Sequence, residues 1–340
     1  MTYRITWKES DNQRGLDRRI AVLEDGQGGC VEVWPALGFN AYRWAVKVGD
    51  TTHELLYADP KLFEDGRPTR SGIPILFPFP NRIRDGKYTW NGKSYQLPLT
   101  GDGGKTAIHG FACRVPWRVI DEGADKNSAW ITGEFQISKD DPASLAVWPA
   151  DGRLRVTYRL LANRLCIEAT VDNPSAESLP FGIGYHPYFA LVPFGGEEAL
   201  VRAPATELWV LEQNLPTGER SANLGHRDLR AARSIAGLSI DDVLSDKSTL
   251  VDSATGYKLL GSIRRASTRM QLLVSASGEF REVVVFTPPH RQAFCIEPYT
   301  CTTDAINLHA RGIDAGLHVL PPGEEPWQGH VQCAFQPAQG

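Results

Sequence analysis

Apolar residues recur at every second position along much of the chain, the spacing that lines one face of a half-buried β-strand. The clearest case covers residues 87–97. Tyr88 and Trp90 alternate with polar partners, Asn91-Gly92 supplies a tight turn, and Tyr95 and Leu97 continue the alternation. Such a turn needs positive φ at its central residues, which Asn and Gly tolerate. A second pairing runs through Val156, Tyr158 and Leu160, turns near Ala162-Asn163, and returns through Leu165, Ile167, Ala169 and Val171. Residues 281–286 form a β-branched run bounded by Pro288-Pro289, which predicts a buried strand. Further turns are marked by Asp25-Gly26, Asp65-Gly66, Asp85-Gly86 and Asp151-Gly152. Helical spacing is confined to a turn or two over residues 228–235 and 144–148. It does not recur between the strands, so an alternating βαβ layout is disfavoured. The pattern predicts an all-β protein: a large antiparallel β-sandwich with loops at its ends and few short helices.

Composition narrows the picture only in places. Of 340 residues, 42% are hydrophobic, enough apolar material for a large core, and the 32 glycines and 23 prolines suit strands and loops. No internal repeat, low-complexity tract or linker-like shift divides the chain, so one domain over residues 1–340 is expected. Lys+Arg 36 against Asp+Glu 40 leaves a net charge of −4, so no global positive field draws nucleic acid or anionic lipid. Residues 1–10 mix charged and apolar positions. The longest apolar run, residues 73–80, is far too short to span a bilayer. A cytoplasmic protein without a membrane partner is expected. The six cysteines are scattered with no CxxC pair, which removes zinc-ribbon and redox-motif readings and predicts free thiols.

Candidate chemistry sits where ionisable residues interrupt apolar or aromatic stretches. These are Ala107-Ile108-His109-Gly110-Phe111, Gly182-Ile183-Gly184-Tyr185-His186-Pro187-Tyr188-Phe189 and Phe294-Cys295-Ile296-Glu297-Pro298-Tyr299-Thr300. A buried ionisable group is costly unless paired, so each needs an explanation. Singly, each histidine reads as a core residue that has found a partner, and Glu297 as half of a structural ion pair. Phe111, Tyr185, Tyr188, Phe189 and Tyr299 could serve as platforms for the apolar face of a sugar ring.

Together with Gly72-Ile73-Pro74-Ile75-Leu76-Phe77-Pro78-Phe79-Pro80-Asn81-Arg82-Ile83, these segments form four motifs in one order. In that order the chain resembles the aldose 1-epimerase (galactose mutarotase) family. The resemblance implies a β-supersandwich whose concave face holds a free aldose such as glucose or galactose, without metal or cofactor. It implies that Glu297 is the base taking the anomeric proton and His186 the acid protonating the ring oxygen. His109 is similar to the family's second site histidine, which holds the ring oxygen or a neighbouring hydroxyl and can share the acid role. Arg82 binds sugar hydroxyls and steadies Glu297. The resemblance implies a sugar-binding aspartate at Asp241-Asp242, with Asp241 favoured, and Asn81 reads as a loop-shaping or hydroxyl-binding residue. One general base and one general acid at the two sides of the breaking bond suffice for the reaction. Glu297 and His186 are therefore expected to face each other across a cavity the size of one pyranose.

Three rival readings carry residues of their own. A hexose-6-phosphate 1-epimerase would need a basic phosphate pocket, for which Arg67, Arg70, Arg84 and Arg114 are candidates. A non-catalytic carbohydrate-binding protein would need hydroxyl partners but no matched acid and base. A metal enzyme could use His109, His186 and Glu297, or His226, Asp228 and His290. Gly104-Lys105-Thr106 resembles the end of a phosphate loop, but Leu99 stands where the first glycine should be. His226-Arg227-Asp228-Leu229 resembles a kinase catalytic loop without its companion motifs. Residues 198–247 carry the least pattern and are where specificity loops are expected. Oligomeric state is not fixed by any of these signals.

Overall fold

The computed structural model of the protein describes residues 2–245 and 256–337, so the end of the pattern-poor stretch, residues 246 and 247, lies outside the described residues. The 87–97 alternation becomes strands Lys87–Trp90 and Lys93–Gln96, with Tyr88 opposite Tyr95. Asn91 (φ 48°) and Gly92 (φ 77°) both take the left-handed conformation that this two-residue turn demands. The second pairing becomes Arg153–Leu161 against Arg164–Asp172. Leu154, Val156, Tyr158, Leu160, Leu165, Ile167, Ala169 and Val171 are all buried, and the residues between them face out. The β-branched run is the buried strand Glu282–Phe286.

Three larger antiparallel sheets carry the architecture. The N-terminal 54 residues form a five-stranded meander, Arg4–Glu9 through Thr51–Glu54. A nine-stranded sheet runs from Arg118–Ala124 through the Arg153–Leu161/Arg164–Asp172 pair to Trp327–Gln336, Gln271–Ala276 and Lys258–Arg264. An eight-stranded sheet lines up Glu207–Glu212, Asp241–Ser245, Glu282–Phe286, Ala293–Tyr299, Gly184–Tyr185 and Ile75–Leu76. Phe294, Ile296, Val283 and Val285 of the last sheet join Val156, Tyr158, Leu165 and Ile167 of the nine-stranded one in a common core. Burying each such side chain contributes about 1.5–3 kcal/mol, so this shared core holds the two sheets face to face. Strand side chains alternate between faces. The even-numbered partners Phe294 and Ile296 therefore commit Cys295, Glu297 and Tyr299 to the opposite face.

Helices are minor. Among the described residues they are Leu62–Asp65, Ile137–Asp140 and Ala305–Ala310, and none is long and apolar enough to cross a membrane. The expected turn at residues 144–148 overlaps the 3₁₀ turn Pro142–Ala146 over its first three residues. Residues 228–235 are not helical. Asp228 Oδ1 accepts the backbone N–H of Arg230 at 2.9 Å, a local bond that competes with helix, and Arg233–Ser234 pairs as an edge strand with Leu200–Arg202. All six cysteines are free.

Candidate active site

On the outer face of the eight-stranded sheet, Glu297 stands opposite Val284 in the cross-strand register, 1% exposed. Two residues along the same strand, Tyr299 donates its hydroxyl to Glu297 Oε2 at 2.6 Å. The Tyr299 ring lies flat against the next strand only because residue 184 is glycine: a Cβ there would come within 2.5 Å of the ring. That strand, Gly184–Tyr185, is tied to Ile75–Leu76, and the backbone N–H of His186 continues the pairing by bonding the Pro74 carbonyl at 3.0 Å. The apolar residues 73–80 thus act as a rail that sets the depth of His186. Its ring stacks on Tyr188 with centroids 4.6 Å apart and planes 5° from parallel. Its Nδ1 lies 3.5 Å from Glu297 Oε1. Its Nε2 lies 3.4 Å from the Tyr188 hydroxyl, which itself donates to the Thr69 carbonyl. With that hydroxyl proton committed, Nε2 is the protonated nitrogen of the neutral ring, and the Nδ1 lone pair faces the carboxyl.

His109 reaches the same place from a loop. Its φ is 65°, a conformation rare for residues with a side chain, and its N–H bonds the Asn81 carbonyl at 2.8 Å. The His109 and His186 rings meet edge to face at 5.6 Å. Asn81 (φ 54°) holds the left-handed loop position, the loop-shaping role, and its side-chain oxygen accepts Arg82 Nη1 at 2.8 Å. Arg82 is clamped by Asp102, which accepts Nε at 2.8 Å and Nη2 at 3.2 Å and is itself braced by the Thr106 hydroxyl at 2.7 Å. Asp241 opens onto the same space, whereas Asp242, one position on and therefore on the other face, is buried against Arg227 at 2.9 Å. All six residues singled out by sequence, Asn81, Arg82, His109, His186, Asp241 and Glu297, line one cavity of ≈ 330 Å³. That is the small end of the roughly 300–1,000 Å³ range of small-molecule sites.

Burial governs the electrostatics. It pushes the Glu297 carboxyl well above its ordinary range; the Tyr299 hydrogen bond pulls it back, Asp241 adds to the rise, and Arg82 opposes it. Burial pushes the imidazoles of His186 and His109 far down, and for His109 the neighbouring His186, Arg114 and Arg82 add to the fall. Enclosure raises Asp241 against the pull of Arg82, while the Arg82 hydrogen bond lowers Asp102. In the dry pocket, low dielectric disfavours both charged forms of the pair, the Glu297 carboxylate and the His186 imidazolium.

Several expectations are revised. Glu297 and His186 stand side by side on one wall, not across the cavity. Arg82 is not bonded to Glu297; its donors go to Asp102 and Asn81, and the hydrogen bond that steadies Glu297 comes from Tyr299. Of the proposed aromatic platforms, Tyr188 and Tyr299 line the cavity, with Phe286 added, while Phe111, Tyr185 and Phe189 pack in the core. Of the candidate phosphate-binding arginines, Arg114 alone lines the cavity; Arg84 lies 3.9 Å from Asp304, Arg67 lies 3.5 Å from Asp65, and Arg70 is exposed. His290 stacks on Tyr57 at 4.4 Å, Asp228 pairs with Arg230 at 2.7 Å, and the side chain of His226 lies outside the described residues. Among the described residues, the group of metal-type ligands is His186, Cys295 and Glu297, with Cys295 in the place expected for His109. Sequence reasoning missed Asp102 altogether, although a carboxylate twenty residues from Arg82 in a Gly-rich turn was there to be weighed.

The sequence pattern of the aldose 1-epimerase family matches residues 22–332. The uncharacterized protein YihR of Escherichia coli K12 is 28% identical over 243 residues, covering 71% of this chain and 72% of that one. The fold is shared with a galactose mutarotase-like protein from Clostridium acetobutylicum, at TM-score 0.85 and 24% identity over 98% of this chain and 99% of that one. It is shared too with the galactose 1-epimerase of Lactobacillus acidophilus NCFM, at TM-score 0.76 and 17% identity, again over 98% and 99%. With the supersandwich, the four motifs and the family pattern all falling on one chain, the protein belongs to the aldose 1-epimerase family.

Proposed function

We propose that the protein interconverts the α and β anomers of a free aldose, with Glu297 as general base and His186 as general acid. The observation that carries this reading is the 3.5 Å approach of His186 Nδ1 to Glu297 Oε1 in the wall of a cavity of ≈ 330 Å³. The anomeric hydroxyl and the ring oxygen are both attached to the anomeric carbon, so an acid and a base standing side by side can reach both. Ring opening moves one proton from the anomeric hydroxyl to Glu297 and one from His186 to the ring oxygen. The pair passes from carboxylate and imidazolium to carboxylic acid and imidazole. The charged pair arises when the Glu297 proton crosses the 3.5 Å to His186; burial disfavours that state and favours its return to acid and imidazole as the ring opens. Rotation about the bond joining the carbonyl carbon to its neighbour, followed by the reverse transfers, closes the ring on its other face and returns both protons.

His109, Asn81, Arg82 and Asp241 supply hydroxyl partners, and the faces of Tyr188 and Phe286 supply apolar contact. A site built from residues 69 to 299 also supports reading the chain as one domain. The test is exchange NMR on freshly dissolved anomers of glucose, galactose and their 6-phosphates. Acceleration proportional to protein concentration on free aldoses is expected. Sugar binding without acceleration would replace the proposal by a carbohydrate-binding role, and acceleration confined to the phosphates would move it to the hexose-6-phosphate reaction with Arg114 as anion partner.

A further inference from the structure

Cys295 is the buried group at this site for which ring opening has no use. Strand alternation puts it on the face of Glu297, two residues away, and the cross-strand register sets it opposite Tyr188, beneath the His186–Tyr188 ring stack. One ligand atom from each of His186, Cys295 and Glu297 lies within 4.8 Å of the others, and all three residues are buried. Among the described residues His186 Nδ1 has no hydrogen-bond partner, and it points at the carboxyl. Zinc–ligand bonds of roughly 2.0–2.3 Å give tetrahedral edges of about 3.3–3.7 Å. The 3.5 Å edge between His186 and Glu297 already has that length, and the sulfur needs an approach of about 1 Å at most.

We infer that His186, Cys295 and Glu297 form a binding site for a thiophilic divalent cation of the zinc class, whose occupancy shuts the aldose site. The imidazole and thiolate select such an ion over magnesium or calcium, which prefer all-oxygen shells. Three protein ligands leave the fourth position open toward the cavity, for water. Binding exchanges the thiol proton for a sulfur–metal bond and the carboxyl proton of Glu297 for an oxygen–metal bond, and both protons go to solvent. The metal takes the carboxylate oxygen and the Nδ1 lone pair, so both proton-transfer groups are withdrawn and inhibition competes with sugar. This ligand geometry stands whether or not the epimerase reading does.

The experiment uses the full chain stripped of metal. Titration with Co²⁺ is expected to give one equivalent bound with a sulfur-to-cobalt charge-transfer band in the near ultraviolet, lost on adding Zn²⁺. In Cys295→Ser and Cys295→Ala the band disappears and Zn²⁺ affinity by calorimetry falls by about tenfold or more. In the anomer-exchange assay, Zn²⁺ inhibits the unaltered protein at stoichiometric levels and EDTA restores it. A cobalt complex of the unaltered protein without the thiolate band would overturn the inference even if neither variant folds, as would equal Zn²⁺ affinity with and without the thiol. Absence of epimerase activity would leave the cobalt spectrum as an independent readout.

Discussion

Two buried glutamates stand on one face of the same sheet, on neighbouring strands. Glu282 pairs in register with Tyr299, and Val284, two residues on, pairs with Glu297. They are 0% and 1% exposed, and burial raises both carboxyls. Their partners differ. Glu282 accepts Trp209 Nε1–H at 3.0 Å and has Arg281 Nε at 3.4 Å and Arg220 Nη2 at 3.9 Å, with Arg220 also seated 4.1 Å over the Trp209 ring. Glu297 meets a tyrosine hydroxyl, an imidazole and open space. A guanidinium cannot give up its proton near neutrality, so the Glu282 cluster offers no partner with which to exchange one. An imidazole can, so the Glu297 cluster can pass protons. Burial and a raised carboxyl pKa are common to both; a titratable partner and room for a ligand are what mark a site.

The largest consequence falls on turnover. Glu297→Gln keeps the shape and the acceptor for Tyr299 but removes the base. Exchange NMR on glucose or galactose should show turnover reduced by roughly two to four decades. Sugar binding by calorimetry, and the urea midpoint measured below the ordinary carboxyl pKa, should change little, since Gln resembles the protonated carboxyl that burial already favours. Turnover within tenfold of the unaltered protein would remove Glu297 from the mechanism.

Asp102→Asn tests the same contrast from the other side. Asp102 is a positioning residue: its charge-assisted bonds aim Arg82 and screen that guanidinium from Glu297. With the carboxylate gone, more of the Arg82 field reaches Glu297, whose surroundings come closer to those of Glu282. A nearby positive charge favours the carboxylate form, so the Glu297 pKa falls and the acid limb of kcat/KM moves to lower pH, by less than about one unit. The loosened guanidinium should also raise KM, roughly threefold to tenfold, for the loss of one charge-assisted bond at a partly open position. An acid limb moving upward, or an unchanged KM with reduced kcat, would show that Asp102 acts otherwise.

How much of this contrast could be read in advance follows from the range of each interaction. Strand alternation is local, so the Lys87–Gln96 hairpin, the Arg153–Asp172 pair and the buried Glu282–Phe286 strand were legible. Alternation also separates Asp241 from Asp242 once Val243 is assigned to the outer face, and it groups Cys295 with Glu297. Five of the six predicted residues that line the cavity fall in the four motifs, each of which fixes a short backbone shape, such as the left-handed Asn81 and His109, while Asp241 lies outside them. What was hidden depends on distant partners. The Arg82–Asp102 clamp joins positions twenty apart through a loop whose path no local spacing specifies. The platform aromatics divide between core and cavity, Tyr185 packing inward and Tyr188 lining the cavity. The helical turn expected over residues 228–235 does not form, because the Asp228 side chain captures the local backbone N–H first.

The smallest effect on turnover, and the most discriminating one, belongs to Glu282→Gln. The Glu282 cluster does not take part in proton transfer, so turnover per folded molecule should stay within about twofold, which is the scale of indirect effects on a site two residues along the sheet. Its signature lies in stability. The folded-state pKa of Glu282 is raised, so its contribution is fully present below the ordinary carboxyl pKa and is lost as pH rises through the folded value. Over that window the folded protein holds the proton that the unfolded chain releases. The Glu282→Gln substitution fixes the side chain in a neutral, protonated-like form, and the decline from this group should vanish. Urea unfolding from about pH 4 to 8 should therefore show a flatter profile for Glu282→Gln than for the unaltered protein. Glu297→Gln should flatten it too, for the same reason, since linkage is blind to whether a buried carboxyl faces arginine or histidine. Only turnover separates the two variants. If Glu282→Gln abolished turnover while Glu297→Gln spared it, the distinction between fixed and mobile protons on this sheet would be reversed.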